Sequence, residues 1–385
     1  MARQDQLILL FSSFLENKIK KTYICLGLSF CFSIAIVNAQ VLQDTISLNL
    51  IRKGIDSIYN MQFSYAKEVY GKINHLYPKH PVVVLFKGIL TYWENYPLLP
   101  SSASRESFEE DMRKCMELCE KADKHSYEAE YLLANLCSRG LLLSFYADND
   151  LSDAVFPLAT STYKYLKKSF EYTSVYPDFF FFAGLYNYYR EVYVQVHPVY
   201  KPITIFFRKG NKIKGLEELQ TASKNSILLK AESCSELSYI YISHENNFPQ
   251  ALSFNKYLHD LYPVNPEYLA EYIKNLLLMK KYDEAESLII SSDSHISNSF
   301  FQAQLFVLKG IIQEKKFNNN SLAQEYYNKA ISDLSSFGTY GNEYAAYAYF
   351  GLSRISGING DKEHKKIYRK HANKLTDLKK INFDL

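Results

Sequence analysis

The chain has 385 residues and a formal net charge of +3 at neutral pH. This length is ample for a hydrophobic core. The near-neutral charge excludes a nucleic-acid-binding protein, because such a protein needs a concentrated basic face. Tyrosine is unusually abundant, with 33 residues. Some are expected to pack in the core and others to contribute to binding surfaces.

Residues 1–39 are predicted to be an N-terminal extension followed by a secretory signal peptide. Three lysines between positions 18 and 21 form a basic region, residues 22–37 form an apolar run, and small residues stand before Gln40 at the cleavage positions. Cleavage there would leave a net charge of +1. The alternative is an uncleaved inner-membrane anchor through residues 22–37, because this run is only slightly shorter than the roughly 20 residues that span a bilayer.

A pattern of small and aromatic residues recurs through residues 40–385. Phe248 and Tyr282 are 34 residues apart, and Ala251 and Ala285 are again 34 apart. Other copies keep related spacings within themselves. The residues that define the pattern are Gly54, Phe63, Ala66, Tyr70, Pro78, Gly88, Phe248, Ala251, Pro263, Tyr282, Ala285, Ala323, Tyr327 and Ala330.

This pattern resembles the tetratricopeptide repeat (TPR), whose period is 34 residues. The resemblance implies an all-α fold, a right-handed superhelical solenoid of about eight stacked antiparallel helix hairpins between Asp44 and Leu378. Small residues would sit where the two helices of a hairpin cross closely, and aromatic residues would fill the gap toward the next hairpin. Proline would end the second helices, as at Pro78, because it lacks the amide donor that a helix needs.

The middle of the array has two unusual stretches. Asp178 is predicted to cap a helix from Phe179 to Tyr189 that is buried on every side, because phenylalanine occupies all its faces. An insertion at about residues 190–210 follows and departs from the repeat. We expect it to leave the regular stack and to add selectivity, since function often lies on such insertions.

No specific catalytic motif is present in the sequence: it has no HExxH, no GxSxG, no phosphate-binding glycine loop and no paired CxxC. We therefore predict a protein that is not an enzyme and that uses no cofactor and no metal. Cys115 and Cys119 lie four residues apart on one helix face, but no second ligand pair accompanies them. Buried thiols are the preferred interpretation, and a disulfide in an oxidising compartment is the alternative.

The first helices of TPR hairpins line a concave groove, so the resemblance implies a peptide-binding face there. Lys53 and Lys87 take matching positions on two first helices, and with Asn187 they make a carboxylate clamp a minor alternative. The predicted partner-binding residues are Lys53, Lys87, Tyr92, Trp93, Tyr186, Asn187 and Tyr189 on first helices, and Tyr193, His197, Tyr200 and Phe206 in the insertion.

The last predicted helix is distinctly basic, with Lys365, Lys366, Arg369, Lys370 and Lys374. We interpret it as the solvated capping helix that a repeat array needs at its end. The alternative is a surface for anionic lipid or an acidic partner.

These features together predict a non-enzymatic protein–protein interaction scaffold or adaptor in the bacterial cell envelope, exported to the periplasm, that binds a protein or peptide in the concave groove. One alternative is a glycan or small-ligand receptor in which Trp93 and exposed tyrosines stack on sugar rings. Another is an envelope hydrolase with a site around His197. An uncut leader would tether the same array to the membrane. The sequence carries no signal for an oligomeric state.

Overall fold

The computed structural model describes residues 40–122, 128–196, 208–292 and 296–376, together with residues 381, 383 and 384. The predicted leader and most of the predicted insertion lie outside the described residues. Within the described ranges the secondary structure is helical throughout, with sixteen α-helices and one 3-10 segment at Ser335–Gly341. None of these helices combines the length and the apolar character that crossing a membrane requires.

The helices pair into eight antiparallel hairpins, as the repeat pattern predicts. The first four hairpins are α1 (Thr45–Tyr59) with α2 (Phe63–Leu76), α3 (Pro81–Glu94) with α4 (Arg105–Lys121), α5 (Glu128–Asp148) with α6 (Ser152–Ser169), and α7 (Phe179–Val196) with α8 (Lys212–Asn225). The last four are α9 (Lys230–Ser243) with α10 (Phe248–Leu261), α11 (Pro266–Leu278) with α12 (Tyr282–Ser292), α13 (Ser299–Lys315) with α14 (Asn320–Leu334), and α15 (Asn342–Ile358) with α16 (Lys362–Leu375). The chain is thus a TPR-like array of helical hairpins.

Local chemistry explains where many of these helices begin. A side-chain oxygen of the residue before the helix accepts an amide hydrogen bond of the first turn and so replaces a missing intrahelical partner. The caps of this kind are Asp44, Asn211, Asn247, Asn265, Asn298, Asn319 and Asp361. Second helices end just before Pro78 and Pro263, as predicted.

The small residues of the repeat lie at close helix contacts. The repeat alanines are fully buried, namely Ala66, Ala251, Ala285, Ala323 and Ala330. Helices α7 and α8 cross with their backbones in close contact, where a Cβ atom at Gly215 would lie 2.6 Å from the Tyr188 amide nitrogen and 2.8 Å from the Gly184 carbonyl oxygen. The pattern therefore marked the positions where side-chain size limits packing.

Gly215→Ala is expected to lower the free energy of unfolding by about 1–3 kcal/mol, because the added methyl group meets backbone atoms that cannot move without separating the two helices. Urea unfolding measures the change. Gly140→Ala is the matched control, since nothing lies within 4 Å of the added Cβ atom on α5. Equal losses in the two variants would contradict a close contact at Gly215.

The predicted role of Asp178 as the cap of α7 was wrong. Its carboxylate accepts hydrogen bonds from the amides of Ile227, Leu228 and Leu229, at 2.8, 2.7 and 3.0 Å. These three residues directly precede α9. Asp178 thus ties the loop before the fourth hairpin to the loop before the fifth, and a sequence cannot show such a contact between neighbouring loops.

The predicted insertion begins as a continuation of helix α7. Helix α7 continues to Val196, so the first seven residues of the 190–210 stretch extend the first helix of its hairpin. Gly210 lies at the α7 surface, where a Cβ atom would be 2.7 Å from the Asn187 carbonyl oxygen.

The four cysteines of the described ranges are free thiols, and Cys115, Cys137 and Cys234 are buried. The Cys115 thiol donates to the Pro81 carbonyl oxygen at 3.2 Å. This placement agrees with the interpretation of these residues as small core side chains.

Candidate functional site

Three polar side chains of the last three hairpins help to join the two ends of the array. Each donates a hydrogen bond to a main-chain carbonyl oxygen in the first three hairpins, and we call these contacts the clasp. The donor and acceptor pairs are Asn265 with Tyr59 at 2.8 Å, Asn298 with Tyr96 at 2.8 Å, and Thr339 with Asp148. The acceptors lie at or just beyond the C-terminal ends of α1, α3 and α5, and the donors lie at the starts of α11, α13 and α15.

Helix polarity favours the clasp. The C-terminal end of a helix carries unpaired carbonyl groups and a partial negative charge, whereas the N-terminal end carries unpaired amides and a partial positive charge. Asn265 also accepts the amides of Glu267 and Tyr268, and Asn298 accepts the amide of Phe301. Each asparagine therefore caps its own helix with its oxygen and the opposing helix with its nitrogen.

An aromatic cluster fills the space beside the clasp. The Trp93 and Tyr96 rings stack with centroids 5.1 Å apart, and the Trp93 ring lies 5.4 Å from Tyr59 and 5.9 Å from Tyr268. The Tyr96 hydroxyl donates to Glu267 at 2.5 Å. These rings come from both ends of the array, so they bury apolar surface where an open groove was expected.

The predicted groove residues of α3 belong to this cluster. Tyr92 is 4% exposed, and its hydroxyl lies 3.3 Å from that of Tyr340. Trp93 is half-buried, and Tyr96 covers one face of its indole, which is the surface that the glycan alternative would use. Tyr92 therefore offers no open stacking surface, and one face of Trp93 is already occupied.

The predicted groove residues of α7 are also buried by contacts within the chain. The Tyr186 hydroxyl donates to the Arg208 carbonyl oxygen at 2.6 Å, Asn187 donates to Glu218 at 2.6 Å, and the Tyr189 hydroxyl donates to Glu236 at 2.6 Å. All three are less than 10% exposed, at 5%, 8% and 8%. These three side chains therefore offer no open binding surface, because contacts within the fourth hairpin and to the adjacent α9 already occupy their polar groups.

The two predicted clamp lysines remain at the surface. Lys53 is exposed on α1, and Lys87 on α3 is half-buried and pairs with Asp111 at 2.9 Å. Asp111 already supplies a carboxylate for Lys87, so the two lysines do not form a shared anion site. His197, Tyr200 and Phe206 lie outside the described residues, and Tyr193 is described only as part of helix α7.

One carboxyl group beside the clasp has an unusual environment. Glu232, in the first turn of α9, accepts a hydrogen bond from the Tyr59 hydroxyl, and its second oxygen is buried without a hydrogen-bond partner. Burial raises its pKa to about 8, because the charged form loses hydration. The neighbouring Tyr262 and Tyr268 have pKa values that burial also raises. Glu232 is therefore largely protonated at neutral pH.

Wild-type protein is expected to lose stability as the pH rises from about 5 to about 8. The folded-state pKa of Glu232 lies above its ordinary value, so its contribution is complete below that ordinary value and is lost as pH rises through about 8. Glu232→Gln should make the decline of the unfolding free energy with pH shallower, by at most about 1.4 kcal/mol per pH unit. Urea midpoints across this range measure it. An unchanged slope in the variant would show that Glu232 does not titrate there.

A second feature of the last hairpins is an open cleft of about 1180 Å³, which we call the terminal cleft. Eight of its fourteen lining residues are lysine or arginine, and two are acidic. Lys315 comes from α13 and Arg354 from α15, and the other six basic residues lie on α16. The basic helix noticed in the sequence therefore forms one wall of a concave surface.

The floor of the terminal cleft is held by a buried ion pair. Arg354 makes two hydrogen bonds to Glu314, at 2.5 and 2.8 Å, and the fully buried Tyr327 hydroxyl donates to the same carboxylate at 2.7 Å. Burial acts to raise the pKa of Glu314, but the hydrogen bonds and charge of Arg354 outweigh it and hold the pKa below its ordinary value. The Arg354 side chain thus has a fixed orientation.

A carboxylate of the chain already lies in the terminal cleft. Asp384 accepts hydrogen bonds from Arg354 at 3.0 Å and from Arg369 at 3.2 Å. The preceding Phe383 is buried against Tyr347, with ring centroids 5.2 Å apart, and so holds the chain near the cleft. The arrangement is suited to binding carboxylates. Among the described side chains, no group of three or more His, Cys, Asp and Glu is placed to hold a metal ion.

Comparisons with known proteins add little to this picture. No protein-family model matches the chain, and no curated protein matches it. Among solved structures, the chain is similar to the C-terminal part of a TPR repeat-containing protein from Cytophaga hutchinsonii, with 13% identity over 87% of this chain and 99% of that chain. The TM-score is 0.30, and a likeness of this size carries no argument about shape or function.

Proposed function

We propose that the protein is a non-enzymatic interaction scaffold of the bacterial cell envelope that holds a protein partner on the outer surface of its closed repeat array. The observation that carries this proposal is the terminal cleft, an open and strongly basic concavity between α15 and α16. Stacked hairpins hold such a surface in a fixed shape, so binding costs little ordering of the scaffold.

Recognition is assigned to the outer surface because the clasp and the aromatic cluster fill the inner one. Tyr92, Tyr186 and Tyr189 keep their structural contacts in this proposal, and their burial stabilises the closed array. The large tyrosine content is then explained by packing between first helices.

Export is part of the proposal, and its support is the leader-like pattern of residues 1–39. The first residues after the predicted cleavage point are also well packed. Val41 and Leu42 are buried, and their amides donate to the Glu130 carboxylate at 2.9 and 3.3 Å. Cleavage before Gln40 would therefore leave the array intact. Fractionation of cells and mass spectrometry of the native N-terminus test this point, and a cytosolic protein with an uncut leader would contradict it.

Site-directed photocrosslinking in intact cells tests the scaffold function. A benzoylphenylalanine replaces Lys362, which is exposed and lines the terminal cleft, or Lys224, which is exposed on α8 and serves as the control position. We expect one defined protein adduct from position 362 and none from position 224. Absence of adducts at both positions would overturn the proposal. Equal adducts at both positions would also contradict it, because they would indicate nonspecific contact rather than binding at the terminal cleft.

A further inference from the structure

The charge of the terminal cleft has a regular arrangement along α16. Lys362, Lys366 and Lys370 recur every fourth residue, so their side chains project along one face of the helix. All three are exposed and form no ion pair with any described residue. Positions four apart on a helix are separated by about 6 Å along its axis. This stripe presents positive charges at an even spacing.

An extended peptide can match this spacing. Alternate residues of an extended chain point to the same side and lie about 6.6 Å apart. Carboxylates at alternate positions would therefore meet successive lysines of the stripe, and Asp384 shows that the cleft accepts a carboxylate between Arg354 and Arg369. We propose that the terminal cleft binds an extended acidic segment of a partner protein, an inference that rests on the proposed scaffold function.

The shape and charge of the terminal cleft favour an acidic peptide segment over an anionic membrane as its ligand. A lipid headgroup surface is flat and would reach only the rim of the cleft. Arg354 and Lys315 line the floor of the cleft and are half-buried, so a flat surface would not contact them. A single small anion would use only part of a cleft of about 1180 Å³. A segment of several acidic residues uses both the floor and the α16 stripe.

Asp384 takes the place of one ligand carboxylate in this proposal. It is attached to the chain beside the cleft, so it competes with the partner at a high effective concentration. Removal of its charge should reduce competition for Arg369 and for the Arg354 nitrogen that Asp384 contacts. The proposal therefore predicts that one substitution weakens binding and another strengthens it.

Fluorescence anisotropy of the full-length protein with a fluorescein-labelled peptide of alternating glutamate and serine tests this inference. Lys366→Glu/Lys370→Glu should weaken binding at least about tenfold, because it reverses two charges of the stripe. Lys209→Glu/Lys224→Glu changes net charge equally at exposed sites away from the cleft and should change affinity by less than about twofold. Asp384→Asn should strengthen binding by about threefold.

Three results would overturn the inference. In the first, the protein does not bind the acidic peptide. In the second, the two double variants weaken peptide binding equally. In the third, the protein binds phosphatidylglycerol vesicles but not the peptide. If the peptide fails to bind while position 362 still crosslinks a protein in cells, the scaffold function stands and the acidic ligand is wrong. If the peptide binds but no cellular protein is crosslinked, the chemistry of the cleft stands and the scaffold function is wrong.

Discussion

Asn265→Ala/Asn298→Ala is expected to lower the free energy of unfolding by about 4 kcal/mol, because it removes two helix caps and two hydrogen bonds across the array at about 1 kcal/mol each. Asn265 is fully buried, so its loss also leaves the Tyr59 carbonyl oxygen without its partner. Urea unfolding measures the stability, and small-angle X-ray scattering should show a larger radius of gyration as the array opens.

Asn265→Asp/Asn298→Asp is the matched control for the clasp. Aspartate keeps the oxygen that caps α11 and α13 but has no nitrogen to donate across the array. We expect this variant to open the array while it retains both helix caps. A compact radius of gyration in both double variants would show that the clasp does not hold the ends together.

Asp178→Ala is expected to lower the free energy of unfolding by about 5 kcal/mol, because three main-chain amides lose a charged acceptor inside the protein. Asp178 is fully buried, and the amides belong to Ile227, Leu228 and Leu229 before α9. The loss should appear as a lower urea midpoint with weaker hydrogen-exchange protection of these three amides.

Asp178→Asn has nearly the same shape and provides the control. The asparagine oxygen can still accept hydrogen bonds from one or two main-chain amides. Its NH2 group, however, would lie against the remaining N–H donors and could not accept from them. We expect an intermediate loss of stability. If alanine and asparagine give equal midpoints close to that of the wild type, the carboxylate does not anchor the α8–α9 loop.

The closed array changes what a repeat fold implies for binding. An open solenoid presents its first helices to a partner, but here the clasp joins α1, α3 and α5 to α11, α13 and α15. The aromatic side chains that remain inside are already packed. Binding then depends on side chains at the outer surface and at the end of the array, where the terminal cleft lies.

The repeat pattern of small and aromatic residues was sufficient to predict about eight hairpins and many of their close crossings. Glycine and alanine mark helix contacts because a larger side chain would meet the neighbouring helix, as at Gly215. Proline marks helix ends because of its own backbone geometry. These signals are local, so they can be read from residues a few positions apart.

Turn conformations were less predictable. Met61 and Lys280 adopt positive φ angles of 56° and 58° between the helices of their hairpins, although neither residue type favours this region. The packing of the two helices imposes the conformation. At Asn246 and Asn318 the same turn coincides with a residue type that tolerates it, so the sequence carries a signal there.

The sequence by itself determined the helical-repeat class, the number of hairpins and the basic character of the last helix. Only the tertiary structure decided that the two ends of the array meet and that the basic helix forms one wall of a cleft. The clasp joins Tyr59 to Asn265, 206 positions away, and the cleft joins Arg354 to Glu314 and Asp384. Small rotations between successive hairpins accumulate along the array. The total rotation determines which distant helices meet, and no single repeat encodes it.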